Sequence, residues 1–143
     1  MSQVIGFTAA SPLQALTAAP GPVASKIVDN SGHKWNACLV MHISPAALNT
    51  EISEIASLAP VMTYNITTYN CVDFALQVIN AVRGTDPLKI PKYQIPGQPL
   101  SMSSTPEGFY LMLESMQEAG GPESRNIITD AVAYAPPGKG PCN

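Results

Sequence analysis

The chain has 143 residues, of which only 12% are charged, and its formal net charge is −3. This length suits one domain, residues 1–143, with a single core, and the 45% apolar content argues against a disordered chain. Seven scattered lysines and arginines provide no basic stripe, so we expect no nucleic-acid partner. The low charge is typical of a secreted or cell-surface domain, and no window is apolar enough for a membrane span.

The first half of the chain predicts three strands and a helix. Residues 3–7 and 25–29 favour short strands, and Ser11-Pro12 begins a short turn or helix between them. The turn Asn30-Ser31-Gly32 leads into a strand over residues 34–43, which we expect to bury Trp35 and the alternate apolar residues after it. Ser44-Pro45 predicts a helix start, and an apolar stripe then indicates an amphipathic helix over 45–59. That stripe consists of Leu48, Ile52, Ile55 and Ala59.

The second half predicts two longer helices and a final strand. One helix runs from Cys71 to Arg83 and ends at Gly84. Residues 85–103 carry four prolines and predict a long irregular connection. Thr105-Pro106 lies in a capping sequence, and the helix that follows is expected to expose Phe109, Leu111, Leu113 and Met116. Residues 126–134 favour a last strand. These elements predict an α+β fold in which a small antiparallel sheet packs against two or three helices.

Cys71 is the strongest candidate for a reactive side chain, because it stands at the first turn of a predicted helix. The unpaired N–H groups and the helix dipole favour a thiolate there, so we expect a lowered pKa. The three cysteines allow at most one internal disulfide, and pairing Cys38 with Cys142 would leave Cys71 free. The alternative is three reduced thiols, with Cys38 and Cys71 acting as small buried apolar side chains.

A cysteine nucleophile needs a general base, and the chain has two histidines, His33 and His42. His33 stands at the start of the long predicted strand, where an imidazole could face a helix N-terminus. Each histidine can equally be a solvated or structurally satisfied side chain. Asp73 and Asn70 are assigned supporting positions, with helix capping as their default role. Asn65 can close the turn before the helix and also begins a glycosylation tripeptide.

No metal or cofactor is expected. The His, Cys and acidic residues lack the spacing of a zinc site or a calcium loop, and no glycine-rich phosphate loop occurs.

The stretch Tyr69-Asn70-Cys71-Val72-Asp73-Phe74-Ala75 resembles the Asn-Cys-x-x-Phe motif of circularly permuted papain-like hydrolases, which include the NlpC/P60-like, LRAT-like and PPPDE enzymes. Residues 64–74, with Ile90-Pro91-Lys92 and residues 104–108, look still more like little-characterised bacterial domains of large secreted proteins, some of them toxin-like. The resemblance implies a permuted papain-like fold in which Cys71 forms an acyl-enzyme with a peptide or acyl-amide substrate.

The same resemblance leaves the identity of the base open. Relatives of this kind carry a Gly-His-aromatic motif on a strand before the cysteine, and Gly32-His33-Lys34-Trp35 matches it imperfectly. His33 is therefore the implied base in this chain. One alternative is that the matching motif lies upstream of Met1, so that Cys71 is a structural remnant or needs a histidine from another chain. Another is that the domain is a catalytically inactive member of the fold that works by binding or assembly with a protein partner. The proline-rich residues 85–103, with Tyr93, Phe109 and Tyr110, would then offer contact surface.

Overall fold

The computed structural model describes residues 5–17, 21–95 and 98–134. Within them the chain forms four α-helices and small antiparallel sheets, which confirms the α+β class. In chain order the elements are β1 (Ile5–Ala9), α1 (Pro12–Thr17), β2 (Val23–Asp29), β3 (Lys34–Leu39), α2 (Pro45–Leu58), β4 (Thr63–Tyr64), α3 (Cys71–Arg83), β5 (Tyr93–Ile95), β6 (Gln98–Ser103), α4 (Pro106–Glu118), a 3₁₀ turn (Ser124–Asn126) and β7 (Ile127–Tyr134).

The first sheet has the strand order β1-β2-β4, and both of its pairings are antiparallel. Phe7 of β1 lies opposite Ile27 of β2. Its ring stacks on Phe74 of α3 with 5.1 Å between the ring centroids. This contact fixes β1 against the helix that begins at Cys71.

The second sheet pairs β3 with β7. The turn between β2 and β3 is tight, because Gly32 has a φ of 77° and the His33 N–H donates to the Asn30 carbonyl at 3.1 Å. Although this turn joins them directly, β2 pairs with β1 and β4 while β3 pairs with β7. The strand β3 ends at Leu39, four residues before the predicted end, and Trp35 is half-buried.

Three of the helices begin at polar caps. Ser44 caps α2, Asn70 caps α3 and Thr105 caps α4, each through a side-chain oxygen that accepts backbone N–H groups. The predicted bounds of α2 and α3 are confirmed to within one residue. Gly84 ends α3 in the left-handed region, with a φ of 65°.

The buried face of α2 differs from the prediction. Leu48 and Ile52 of the expected stripe are 45% and 40% exposed, whereas Glu51 is only 7% exposed. A stripe indicates which side of a helix is apolar, but the neighbouring elements decide which side is covered.

Residues 85–103 also differ from the prediction, because β5 and β6 form an antiparallel pair there. Leu113 of α4, which was expected to be exposed, is fully buried. Of the described apolar residues, the buried ones are Phe7, Ala9, Val72, Phe74, Leu88, Leu113 and Ile127. Val72 and Phe74 on the first turn of α3 belong to this core, so the start of α3 is anchored.

Candidate active site

Cys71 is the first residue of α3 and lies exposed at the helix N-terminus as a free thiol. The residue before it, Asn70, is 4% exposed and has extended backbone angles. Its Oδ1 accepts the N–H of Val72 at 2.8 Å and that of Asp73 at 3.4 Å. Asp73 Oδ2 in turn accepts the Asn70 N–H at 3.0 Å. Asn70 and Asp73 thus form a capping box that sets the position of Cys71 between them.

A buried polar network ties this capping box to the end of β6. Asn70 Nδ2 donates to Ser103 Oγ and to the Ser104 carbonyl, both at 2.9 Å. Ser104 Oγ donates to Asp73 Oδ1 at 2.6 Å. Both serines are buried, and Ser103 Oγ donates to the Ile66 carbonyl at 2.6 Å. Since each of these groups has a partner, the network gives the first turn of α3 a defined orientation.

The loop before α3 is closed by Asn65. Its Oδ1 accepts the Thr67 N–H at 2.9 Å, the Thr67 hydroxyl at 2.6 Å and the Thr68 N–H at 3.1 Å. Asn65 and Tyr69 also exchange backbone hydrogen bonds. Asn65 and Thr67 are each 8% exposed, so the glycosylation tripeptide is folded into a buried turn.

The pKa of the Cys71 thiol is raised rather than lowered. Desolvation by the surrounding protein is the largest cause, and the Asp73 carboxylate adds to it. The backbone N–H groups of Val72 and Cys71 act in the opposite direction but do not offset the desolvation. The sequence predicted a lowered pKa from the helix N-terminus alone, without the desolvation of the sulfur by the surrounding protein. The resting form of Cys71 at neutral pH is therefore the neutral thiol.

Two cavities meet at Cys71, and Ala75 one turn later also lines both of them. The β3-side cavity has a volume of about 260 Å³, and the β1-side cavity has about 350 Å³. The other residues of the β3-side cavity are Asn36, Ala37, Val72, Pro106, Phe109 and Tyr110. Those of the β1-side cavity are Ile5, Gly6, Phe7, Asn30, Phe74, Val78 and Ile79. None of the described lining residues carries a formal charge, so both cavities suit uncharged groups.

His33 is not among the described residues that line these cavities. It is exposed and lies near Asp29, whose pKa is lowered first by hydrogen bonds from Ser31 and further by the neighbouring His33. Its connection to the site is indirect, because its N–H donates to Asn30, which lines the β1-side cavity.

His42 lies at the other end of α3. It lines a cavity of about 430 Å³ together with Val82 and Arg83. Arg83 lies twelve positions after Cys71 in the helix, which corresponds to roughly 18 Å. His42 is therefore remote from the thiol.

Tyr64 of β4 is a site residue for which the sequence suggested no role. Burial raises the pKa of its phenol, and the neighbouring Cys71 and Asp73 raise it further. The hydroxyl is therefore protonated at neutral pH and lies within the electrostatic reach of Cys71. Tyr64 is the first residue of the stretch 64–74 that carries the wider sequence resemblance, but its proximity to the thiol is visible only in the fold.

The remaining site predictions concern disulfides, metals and membranes. Cys38 is half-buried and forms no disulfide with the other described cysteine, Cys71; its proposed partner Cys142 lies outside the described residues, so that pairing stays a prediction. Among the described residues, no three His, Cys, Asp or Glu side chains are grouped as a metal site. The described helices are also too short and too polar to cross a bilayer.

Comparison of the chain with family models, with curated proteins and with solved structures finds no match.

Proposed function

We propose that this protein is a cysteine hydrolase-like domain of the permuted papain-like class, in which Cys71 attacks the carbonyl carbon of an amide or ester. The observation that carries the proposal is the position of Cys71: an exposed free thiol on an anchored helix start, with an uncharged cavity on either side. One cavity would hold the acyl part of the substrate and the other its leaving group. The sequence resemblance supports a secreted bacterial setting, with a toxin or effector role.

The raised pKa of Cys71 makes the reaction general-base-assisted. The base removes the thiol proton as the sulfur attacks, and the carbonyl π electrons move onto oxygen. The tetrahedral intermediate then expels the amine or alcohol, which takes the proton from the base. Water hydrolyses the thioester by the same sequence, releasing the acid and restoring the thiol.

The helix start offers a donor for the developing oxyanion. The N–H groups of Val72 and Asp73 already donate to Asn70 Oδ1. Among the described groups of this turn, the N–H of Cys71 is the donor left for an oxyanion, and the protonated Tyr64 hydroxyl is a further candidate.

His33 is the proposed base. Its turn contacts Asn30 at the edge of the β1-side cavity, whereas His42 lies at the far end of α3.

The proposal is tested by acylation with p-nitrophenyl butyrate, followed by mass spectrometry of the intact chain and its peptides. We expect one butyryl group on Cys71, none on that position in Cys71→Ala, and unchanged acylation in Cys38→Ala, which removes the other described thiol. His33→Ala should slow acylation by about 10²-fold, the usual contribution of a general base. Equal labelling of Cys38 and Cys71 would contradict a nucleophile role, and an unchanged rate in His33→Ala would remove His33 from it.

A second candidate function is a non-catalytic binding or assembly module of the same fold. It is favoured by the neutral resting thiol and by the absence of an imidazole among the described lining residues. Under this function Cys71→Ala would retain partner binding, and p-nitrophenyl butyrate would acylate Cys71 no faster than an unstructured cysteine peptide.

A further inference from the structure

We propose that Tyr93 is a positioning residue that sets how large a group the β3-side cavity accepts beside Cys71. Its ring supports the start of α4 from the side opposite that cavity. The inference rests on the proposed function in taking this group to be part of the substrate. The contacts that carry it do not depend on catalysis.

The pairing of β5 with β6 joins the starts of α3 and α4. In its register Tyr93 lies opposite Ser103. The Ser103 hydroxyl oxygen accepts a hydrogen bond at 2.9 Å from Asn70, the cap of α3. The Tyr93 ring lies on Gly108 in the first turn of α4, where a Cβ atom would stand 2.5 Å from Tyr93 Cε2. One cross-strand pair therefore contacts both helix starts.

Gly108 permits this close approach. A glycine inside a helix lowers stability relative to alanine, and it suits a position where another group comes close to the backbone. Gly108 is buried, and the Tyr93 ring takes the place that its side chain would occupy. The ring and the first turn of α4 are thus in direct contact, so a change in one displaces the other.

The β3-side cavity lies on the other side of the same helical turn. Pro106, Phe109 and Tyr110 of α4 line it. At 3.6 residues per turn these three positions share one side of the helix, and Gly108 lies roughly 150° away from their centre. Tyr93 therefore contacts α4 from behind, relative to the cavity and Cys71.

The far end of α4 is fixed to β7. Gln117 Nε2 donates to the Ile127 carbonyl at 3.0 Å, and its Oε1 accepts the Thr129 hydroxyl at 2.6 Å. A displacement at Gly108 should therefore move the start of α4, where the cavity lies, more than its end. Loss of the Tyr93 ring leaves space behind this start, and the cavity of about 260 Å³ can widen.

The test compares how fast two reagents alkylate Cys71 in the full chain carrying Cys38→Ala and Cys142→Ala. Iodoacetamide is the small reagent, and N-benzyl iodoacetamide is the bulky one. The ratio of the bulky to the small rate reports the room beside the sulfur. Both reagents attack the same thiolate, so any change in the pKa of Cys71 cancels in this ratio. Nuclear Overhauser effects from the attached benzyl ring to Phe109 and Tyr110 show whether it occupies the β3-side cavity.

We expect Tyr93→Ala to raise this ratio by about tenfold, since one methylene of fit in an apolar pocket changes selectivity by at least that factor. The attached benzyl ring should then contact Phe109 and Tyr110. Tyr93→Phe keeps the ring and should leave the ratio unchanged. Gly108→Ala displaces the ring while keeping the β5 and β6 sequences, and it should raise the ratio in the same direction.

The matched control is Arg83→Ala, which removes buried contacts at the other end of α3 and should leave the ratio unchanged. An unchanged ratio in Tyr93→Ala or in Gly108→Ala would overturn the proposal, and so would an equal rise in Arg83→Ala. Failure of butyrate acylation together with the expected ratios would reject the hydrolase function and leave Tyr93 as the residue that sets the size of the cavity.

Discussion

At the residue scale, the reactivity of Cys71 is set by two opposing local effects. Its surroundings desolvate the sulfur, and the N–H groups at the helix start favour the thiolate. Because desolvation is larger, we predict that the alkylation rate by iodoacetamide rises through a midpoint at higher pH than for an ordinary cysteine. The measurement uses the chain with Cys38→Ala and Cys142→Ala, and the same chain unfolded in guanidinium chloride is the matched reference. Reactivity that persists below about pH 6 would require a paired imidazolium and would contradict this prediction.

Glu51 is a second residue whose surroundings disfavour its charged form. It is 7% exposed on α2, and desolvation raises its pKa, with a further contribution from Glu54. Below the ordinary glutamate pKa, both the folded and the unfolded chain are protonated, so the carboxyl has no charge-related cost. As the pH rises past that value, the unfolded chain ionises more readily than the folded one, and stability falls until the folded-state pKa is passed.

We therefore predict that Glu51→Gln raises the free energy of unfolding at pH 7 by about 1 kcal/mol, because the amide is buried without a charge. The gain should disappear at pH 3.5, where the native carboxyl is protonated. Urea unfolding at the two pH values measures both quantities. The control is Glu54→Gln on the same helix, which is exposed and should show a smaller gain in the same direction. A gain that is the same at both pH values would show that charge is not its cause.

At the element scale, α2 and α3 begin with similar caps in different surroundings. The side chain of Ser44 caps α2 at an exposed position, accepting the Ala47 N–H at 3.1 Å. Asn70 caps α3 and also donates to buried partners at the end of β6. We predict that Asn70→Ala lowers the free energy of unfolding by about 3 kcal/mol and Ser44→Ala by about 1 kcal/mol.

Asn70→Asp separates the two roles of the Asn70 side chain. The carboxylate can still accept the N–H groups of Val72 and Asp73, but it cannot donate to Ser103 and Ser104. It also adds a negative charge beside Asp73. Urea denaturation should therefore place Asn70→Asp close to Asn70→Ala. A loss no larger than that of Ser44→Ala would show that the buried network contributes nothing beyond the cap.

Local chemistry explains which elements were predictable. The helix starts at Ser44-Pro45 and Asn70-Cys71 depend on residues within one turn, and their positions are confirmed. The covered face of α2 depends on distant neighbours, so the predicted apolar stripe does not show that Leu48 and Ile52 lie exposed. The pairing of β5 with β6 was not predicted, because the four prolines of residues 85–103 weaken the sequence signal of a strand.

The same division applies to the candidate site: arrangements set within one helical turn were predictable, and those set by distant segments were not. Cys71, Asn70 and Asp73 are adjacent in sequence, and their mutual arrangement follows from a helix cap. The position of β4 brings Tyr64 near the thiol, and the position of the β2–β3 turn leaves His33 outside the two cavities. No local sequence pattern encodes either position. The pKa of Cys71 could not be predicted either, because desolvation depends on residues of β1, β3 and α4 that the fold assembles around it.

At the scale of the whole molecule, α3 connects parts of the chain that share no strand pairing. Its first turn meets β1 through Phe74 and Phe7, and its last residue, Arg83, meets the segment before β7. The Arg83 side chain is 9% exposed. Its guanidinium donates to Glu123, to Asp86 Oδ2 at 3.0 Å and to the Asp86 carbonyl at 2.7 Å. One buried cation thus holds the end of α3 to the entry of the β3–β7 sheet.

We predict that Arg83→Ala lowers the free energy of unfolding by about 2 kcal/mol, because Glu123 and the Asp86 carbonyl lose a buried donor. Arg83→Lys should recover less than half of this loss, since an ammonium cannot reproduce the planar fork that reaches both acidic residues. The control is Arg125→Ala, which removes an exposed cation two residues after Glu123 and should change stability by less than 0.5 kcal/mol. Urea unfolding of the three variants measures these values. A full recovery in Arg83→Lys would show that charge alone stabilises this junction. That result would contradict the prediction that the contact to both acidic residues requires the geometry of arginine.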